Sequence, residues 1–451
     1  MIFTSCGSDG GDDPEPEPEP EPEGTTITVN PTDIKQEMVG FGGALTWYST
    51  WMTGNNKKEE IADLVFDDLG IDIIRFKTWY YPDNYPTNKS IDVMGNTADN
   101  DYAKSHWDAT NELYEMAMDR NPDIKILLSS WGPPISLKDN GNLKEGTLKK
   151  DGSAFMYDAF ATYWEDILDN VPFDPDYISI QNEPTYSNAG WTTCKWAASE
   201  TSTLPSYMTA FDKVYDKVKI RTHKPIMLGP ESQDISTFVS FANALKDNPN
   251  CGMLGFHPYN INTGTFASVN IELQKVGNFN TKPNIMTEFA DNVDWYNTAL
   301  FIHHSLVTAN TSGYIYWKLV WDGPASGEDA GIISVESNPT SAYKVTPYYH
   351  LLKHYAKYVD AGYDRVTTTS TNSLLLTTAF LSPDSKKLTL VIINNGSTAD
   401  DVKLSATGKT ATGINVFQSK SGDYYKTVTV ASPTAAVNLP AKSITTVVLD
   451  I

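Results

Sequence analysis

Cysteine is scarce in this sequence: three in 451 residues, at Cys6, Cys194 and Cys251. With no CxxC spacing they supply neither a disulfide framework nor a cysteine metal site. Cys194 and Cys251 either pair, if the fold brings them together, or stand as free thiols. Positive charge is also short, with 34 Lys and Arg against 56 Asp and Glu, a net charge of −22. DNA, RNA and anionic lipid are therefore poor main partners, because each is held by basic patches. No apolar run reaches the ~18 residues that a membrane-crossing helix needs, and no internal repeat is visible.

Aromatic residues are plentiful, with 11 Trp and 24 Tyr. Such rings fill cores, and their flat faces also receive sugar rings. The apolar share of 40% and charged share of 20% are those of an ordinary globular protein. The length allows two domains with filled cores.

The first 24 residues, MIFTSCGSDGGDDPEPEPEPEPEG, stand apart. Five Pro-Glu pairs at 14–23 bury nothing and favour an extended, polyproline-like spacer of roughly 30 Å. IFTSC before this acidic stretch resembles the end of a bacterial lipoprotein signal, with Cys6 as the lipidated residue. The basic region and most of the apolar region of such a signal are missing. Either the chain begins inside the signal or the likeness is accidental; the first is the expectation. It implies an exported protein: a bacterial cell-surface or outer-membrane lipoprotein, otherwise secreted or periplasmic, touching a membrane only through Cys6.

From 39 to 321, eight short apolar runs alternate with helical stretches: VGFGGALT, IDIIRFKTWYY, IKILLSSWGPP, YISIQNEP, KPIMLGPES, GMLGFHPYN, KPNIMTEFA and GYIYWKLVW. Several are nearly continuous in apolar residues, as buried parallel strands are. The intervening segments are amphipathic. In NKKEEIADLVFDDLG, Asn56 is the expected cap, Ile61, Leu64 and Val65 the buried face and Gly70 the stop. Asp67 and Asp68 read as a solvated face. Eight strand–helix units over residues 39–355 predict an α/β fold, a (β/α)8 TIM barrel. After about residue 360 the sequence turns rich in Thr, Val and Ile with regular turn signals. Residues 25–38 and 356–451 are expected to form one fused antiparallel β-sandwich.

The chemical surprises fall at strand ends, where such barrels keep their reactive residues. Asn182 and Glu183 end strand four, and Glu288 ends strand seven. Arg75 lies on strand two, Trp131 on three, His257 and Tyr259 on six and Trp317 on eight. Buried Arg, Glu and His are costly unless they pair or work. Singly, each glutamate reads as a helix-end carboxylate or ion-pair partner; jointly, on strands four and seven, they read as catalytic. Two carboxylates on one rim are the minimum equipment for glycoside hydrolysis, with Asn182 available to the sugar 2-hydroxyl. Arg75 would hold Glu288 ionised. Trp131 and Trp317 are candidate sugar platforms, while His303 and His304 read as helix packing rather than metal ligands.

The pieces GFGGALT, IDIIRF, LLSSWGPP, YISIQNEP, GPES, GFHPY, MTEF and YIYW, with the closing LPAKSITTVVLDI, resemble glycoside hydrolase family 30 over about residues 25–451. The resemblance implies Glu183 as acid/base, Glu288 as nucleophile, and Asn182 and Arg75 as support on the nucleophile side. It further implies His257 and Tyr259 near the site, Trp131 and Trp317 as subsite walls, and a retaining mechanism with no cofactor and no metal. The layout is closest to xylan-cleaving members. Two departures matter. Glucuronoxylan-specific members carry an arginine pair after strand eight, where this chain has Lys318 and an acidic loop with Asp322, Glu328 and Asp329. Gly132 stands where relatives often have Asn. The expectation is a monomeric retaining endo-β-1,4-xylanase that cuts xylan polysaccharide or oligosaccharide without strict need of glucuronic acid branches. The alternatives are another β-linked glycan (β-1,6-glucan, β-1,6-galactan or a β-glucoside), chain-end attack on xylan, or a surface lipoprotein that binds glycan without cutting it.

Overall fold

The computed structural model describes residues 24–79, 91–93, 96–98, 100–259, 261, 266–290, 294–322, 331–335 and 342–451. Cys6 and the Pro-Glu tether lie outside the described residues. So do residues 80–90, which follow the second strand, and Glu328 and Asp329 of the acidic loop.

Eight strands close a barrel: β1 (Gly40–Ala44), β2 (Ile73–Lys77), β3 (Lys125–Ser129), β4 (Tyr177–Ser179), β5 (Ile226–Ser232), β6 (Met253–Phe256), β7 (Asn284–Phe289) and β8 (Thr311–Tyr316). Each pairs in parallel with the next, and β8 closes on β1. These are the eight apolar runs of the sequence. Helices cover the outer face, so both faces of nearly every strand are buried and continuous apolar runs are required.

Side-chain alternation along a strand sorts what fills the barrel. Ile73, Leu127, Leu228, Met253, Ile285 and Ile315 pack with Ala44 as one apolar layer. Two residues further along the same inward faces stand Arg75, Ser129, Thr287 and Trp317. A polar layer thus rests on an apolar floor. The intervening residues Ile74, Phe76, Ile126, Leu128, Ile178, Met286 and Tyr314 belong to the large core beneath the helices.

Among the described residues three helices carry side-chain caps: Ser206 accepts from the Thr209 amide, Asp234 from that of Thr237, and Asp294 from those of Tyr296 and Asn297. The helical stretch after β1 departs from expectation. Its helix Lys58–Ala62 starts behind Lys57 without a side-chain cap, because Asn55 rather than Asn56 accepts the Lys57 amide, at 2.9 Å. It continues as a π-helix over Asp63–Asp68 that buries Val65, and Gly70 ends it at φ +74°. Asp68 is no freely solvated carboxylate: Lys353 and the Tyr349 hydroxyl both donate to it.

A second, curled sheet packs against the barrel. Its strands are β9 (Asp364–Ser370), β10 (Leu375–Leu381), β11 (Lys387–Asn394), β12 (Asp400–Ala406), β13 (Gly413–Lys420), β14 (Asp423–Val428), β15 (Val437–Leu439) and β16 (Ser443–Asp450). The N-terminal strand Thr25–Glu37 joins it between β9 and β12. It runs antiparallel to β9 but parallel to β12, the one parallel pairing in this sheet among the described residues. This is the β-sandwich side domain, with its own core around Ile27, Val29, Leu390 and Val447.

Gln36 ties the two bodies together. Its amide donates to the carbonyls of Leu306 and Thr311 at 2.9 and 3.0 Å, and its oxygen accepts from Arg365 Nε at 2.6 Å. Removing it leaves Arg365 Nε and two carbonyls without this partner. Gln36→Ala is expected to cost about 2–4 kcal/mol of unfolding free energy, read by urea denaturation; an unchanged midpoint would contradict this role.

Cys194 and Cys251 are both free and buried. Cys194 follows the C-terminal end of β4 and Cys251 precedes the N-terminal end of β6, so they sit toward opposite ends of the barrel. His303 is buried within the helix Trp295–Val307, where burial pulls its imidazole down to about 3.

Candidate active site

Just past β4, Gln181-Asn182-Glu183-Pro184 is held in place because the polar side chains and main chain there tie the chain to its neighbours. Gln181 donates to the Trp131 carbonyl at 2.8 Å and accepts from Trp196 Nε1 at 3.2 Å. The Asn182 amide donates to the Ser130 carbonyl at 2.6 Å, and that of Glu183 to the Glu231 carbonyl at 3.0 Å. Glu183 itself holds φ +47°, a left-handed conformation unusual for a side-chain-bearing residue. The turn directs its carboxyl to His257, whose Nδ1 lies 3.1 Å from Glu183 Oε1.

Arg75 is the hub, fully buried on the inward face of β2. Nη1 donates to Glu288 Oε2 at 2.7 Å and Nη2 to Asn182 Oδ1 at 2.6 Å. Nε donates to Glu231 Oε1 at 3.0 Å and Ser129 Oγ at 3.2 Å. Its planar face lies 4.8 Å from the Trp131 ring and 5.8 Å from that of Trp317. Those two indoles stack at 30°. On the other side of Glu288, the Tyr259 hydroxyl donates to Oε1 at 3.0 Å. His257 Nε2 lies 3.1 Å from Thr287 Oγ1.

The electrostatics separate the two acids. Burial raises Glu183 well above the ordinary carboxylate range, and the Glu288 charge adds to this. Burial also raises Glu288, but the Arg75 guanidinium and the Tyr259 hydroxyl pull it back. His257 is held well below its usual value by burial and by Arg75, so its ring is neutral. One member is thus suited to carry a proton and the other to carry charge.

Every residue singled out from the sequence reaches this site: Glu183, Glu288, Arg75, Asn182, His257, Tyr259, Trp131 and Trp317. A cleft of about 400 Å³ opens above them. Sequence reasoning missed several members. Trp47, Tyr186, Trp191, Gln233 and Trp321 also line the cleft. Glu231, with Ser129 and Thr287, lies beneath it. The loop residues carried no signal beyond being aromatic or polar. Glu231 stood in the quoted GPES run, but nothing in that run says which way it faces. Beneath Trp47, Lys77 is buried with its ammonium 3.8 Å from the Trp79 ring, and burial lowers it to about 7. Lys318, the cation after β8, is 7% exposed and lies 5.7 Å from the Trp321 ring. Gly132 leaves room for Thr192, which an added Cβ would meet at 3.2 Å.

Residues 364–447 match the glycosyl hydrolase family 30 beta sandwich domain. The glucuronoxylanase XynC of Bacillus subtilis is 23% identical over 343 residues, covering 72% of this chain and 73% of the relative. The catalytic domain of GH30 xylanase C from Talaromyces cellulolyticus superposes with a TM-score of 0.75 at 19% identity, over 94% of this chain and all of that one. An endo-beta1,6-glucanase superposes with a TM-score of 0.69 at 18% identity, over 94% of each chain. The superpositions establish the shared barrel-and-sandwich fold. A protein with this fold, this side domain and this cleft is a glycoside hydrolase. Its side domain matches that of glycoside hydrolase family 30, and the whole chain is similar to xylanases of that family.

Proposed function

We propose that the protein is a retaining endo-β-1,4-xylanase with Glu288 as nucleophile and Glu183 as acid and then base, independent of glucuronic acid branches. The observation that carries the mechanism is proximity. Glu183, His257 and Glu288 each offer an atom within 4.8 Å of the others. Retaining enzymes hold their carboxyl groups about 5–5.5 Å apart, and inverting ones at ~6.5 Å or more.

In the first step Glu288 attacks the anomeric carbon while the Glu183 proton passes to the departing glycosidic oxygen, and the C–O bond breaks. An ester joins sugar to Glu288. Its formation removes the charge that helps keep Glu183 protonated, so Glu183 now accepts a proton from water. That water attacks the anomeric carbon, the ester bond breaks, and both carboxyl groups return to their starting states. Arg75 and Tyr259 orient Glu288 throughout. Asn182 is placed to meet the sugar 2-hydroxyl, and Trp131 and Trp317 to stack on sugar rings. The cluster of Glu183, His257 and Glu288 is also compact enough for a metal, but the Arg75 guanidinium already supplies the cation that Glu288 needs.

For the substrate, the xylan-directed names of the relatives favour xylan, while the endo-beta1,6-glucanase likeness supports a β-1,6-linked glucan as second reading. Lys318, buried beside Trp321, is no exposed partner for a uronate, which favours branch independence. Export as a Cys6-anchored lipoprotein remains part of the proposal, resting on the IFTSC and Pro-Glu sequence. The test is a product time course on glucuronoxylan, arabinoxylan, unbranched xylo-oligosaccharides, β-1,6-glucan and β-1,6-galactan. Ladders of products from all the xylans are expected. A single short product would mean chain-end attack, and activity confined to a β-1,6 polymer would overturn the substrate.

A further inference from the structure

Glu231 has no part in the chemistry above, yet it is fully buried beneath it. Its Oε1 accepts from Arg75 Nε at 3.0 Å, while among the described residues no group donates to its Oε2. Its main-chain carbonyl accepts from the Glu183 amide at 3.0 Å. Glu231 and Glu183 hold φ values of +53° and +47°, so two strained glutamates are joined back to back. The fold makes room for this. Gly255 on β6 faces the Glu231 side chain, and an added Cβ there would meet Glu231 Cγ at 3.3 Å and Leu228 Cδ1 at 3.0 Å. Gly229, two residues earlier on β5, lies where a Cβ would strike the Tyr207 hydroxyl at 2.4 Å.

We infer that Glu231 is a positioning residue for both catalytic carboxyls: its side chain aims Arg75 at Glu288, and its carbonyl fixes the turn that presents Glu183. A guanidinium binding only Glu288 and Asn182 has two anchors on its Nη edge and is free to tilt. The Nε contacts to Glu231 and Ser129 fix the remaining edge and so fix where Nη1 meets Glu288. The Glu231 charge also shares the guanidinium with Glu288. A lone Arg75–Glu288 pair would hold the nucleophile too firmly as a stabilised anion; a second carboxylate weakens that hold. The same charge raises both Glu183 and Glu288.

This inference rests on the assignment of Glu183 and Glu288, and the experiment keeps the two apart. Glu231→Gln retains an oxygen for Arg75 Nε and removes the charge; Glu231→Asp retains the charge and loses reach. With an aryl β-xylobioside as probe, kcat and KM are measured from pH 4 to 9 for wild type and both Glu231 variants, each corrected for active sites titrated with a fluorosugar inactivator, and turnover of Glu288→Gln is measured per total folded protein. Glu231→Gln is expected to lower kcat per active site by about 100-fold with KM changed less than about threefold. Both limbs of its pH profile should move to lower pH, because the anion that raised both acids is gone. Glu231→Asp is expected to lose rate with its limbs in place, which keeps the test available if the Gln variant does not fold. An unshifted profile with kcat per site within twofold of wild type in either variant overturns the inference. So does loss confined to the number of active sites, which is what a merely structural role gives. If Glu288→Gln itself turns over normally, the underlying assignment falls, whatever the Glu231 variants do.

Discussion

Glu288→Gln is expected to lower turnover by at least ~10⁴-fold, the scale of loss when a covalent nucleophile is removed, while oligosaccharide still binds. The reason lies in how the side chain is held. Arg75 Nη1 and the Tyr259 hydroxyl grip one oxygen each, at 2.7 and 3.0 Å. The amide is nearly the same size and is accommodated by turning its oxygen to Arg75 and its nitrogen to Tyr259. Trp131, Trp317 and Asn182 keep their places in the cleft. What is lost is the ability to form an ester with the anomeric carbon. Calorimetric binding of a xylo-oligosaccharide beside a rate assay separates the two effects. A variant with full turnover would remove Glu288 as nucleophile.

Glu183→Ala is expected to lose about 10²–10⁴-fold on xylan, the usual range for a general acid–base group. The loss should be much smaller for ester formation from an aryl glycoside with a good leaving group, which needs no protonation. Azide should then accelerate the variant, replacing the base-activated water and giving a β-glycosyl azide. The pH profile carries an independent sign. Glu183 is raised by burial and by the Glu288 charge, and its protonated form is the working acid. Wild-type activity therefore falls as pH rises through that raised value, and falls again at low pH as Glu288 becomes protonated. In the variant the alkaline limb disappears and the acid limb remains. An alkaline limb that survives would assign the acid to another group.

The barrel was legible because burial on both faces forces a pattern that composition cannot hide. Runs such as IDIIRF and PNIMTEF have no polar face, and polar residues inside them stand out against that background. Arg75, two positions beyond Ile73 on the same inward face, is such a residue, as are Glu183 and Glu288 at their strand ends. The side sheet was legible from its Thr, Val and Ile content, but not the parallel pairing of its first strand with β12. Nothing local distinguishes a parallel from an antiparallel neighbour.

What stayed hidden was set by tertiary direction. Glu231 follows Pro230 at the end of β5, and its inward path depends on φ +53° and on the space at Gly255. Trp191 and Tyr186 stack on one another at 26° in the loop after β4, and only the folded loop brings them over the cleft. The expected cap at Asn56 is absent because Asn55 takes the Lys57 amide instead. Asp68 looked like solvated charge because its partners, Tyr349 and Lys353, come from nearly 300 residues further along the chain.

The central claim is a covalent intermediate on Glu288. Incubation with a 2-deoxy-2-fluoro-xylobioside bearing an activated leaving group, followed by proteolysis and mass spectrometry, tests it most directly. The account predicts one fluoroxylobiosyl increment, on the peptide containing Glu288. An increment on Glu183 instead, or rapid turnover of an otherwise good substrate with no labelled enzyme and inverted product, would contradict it.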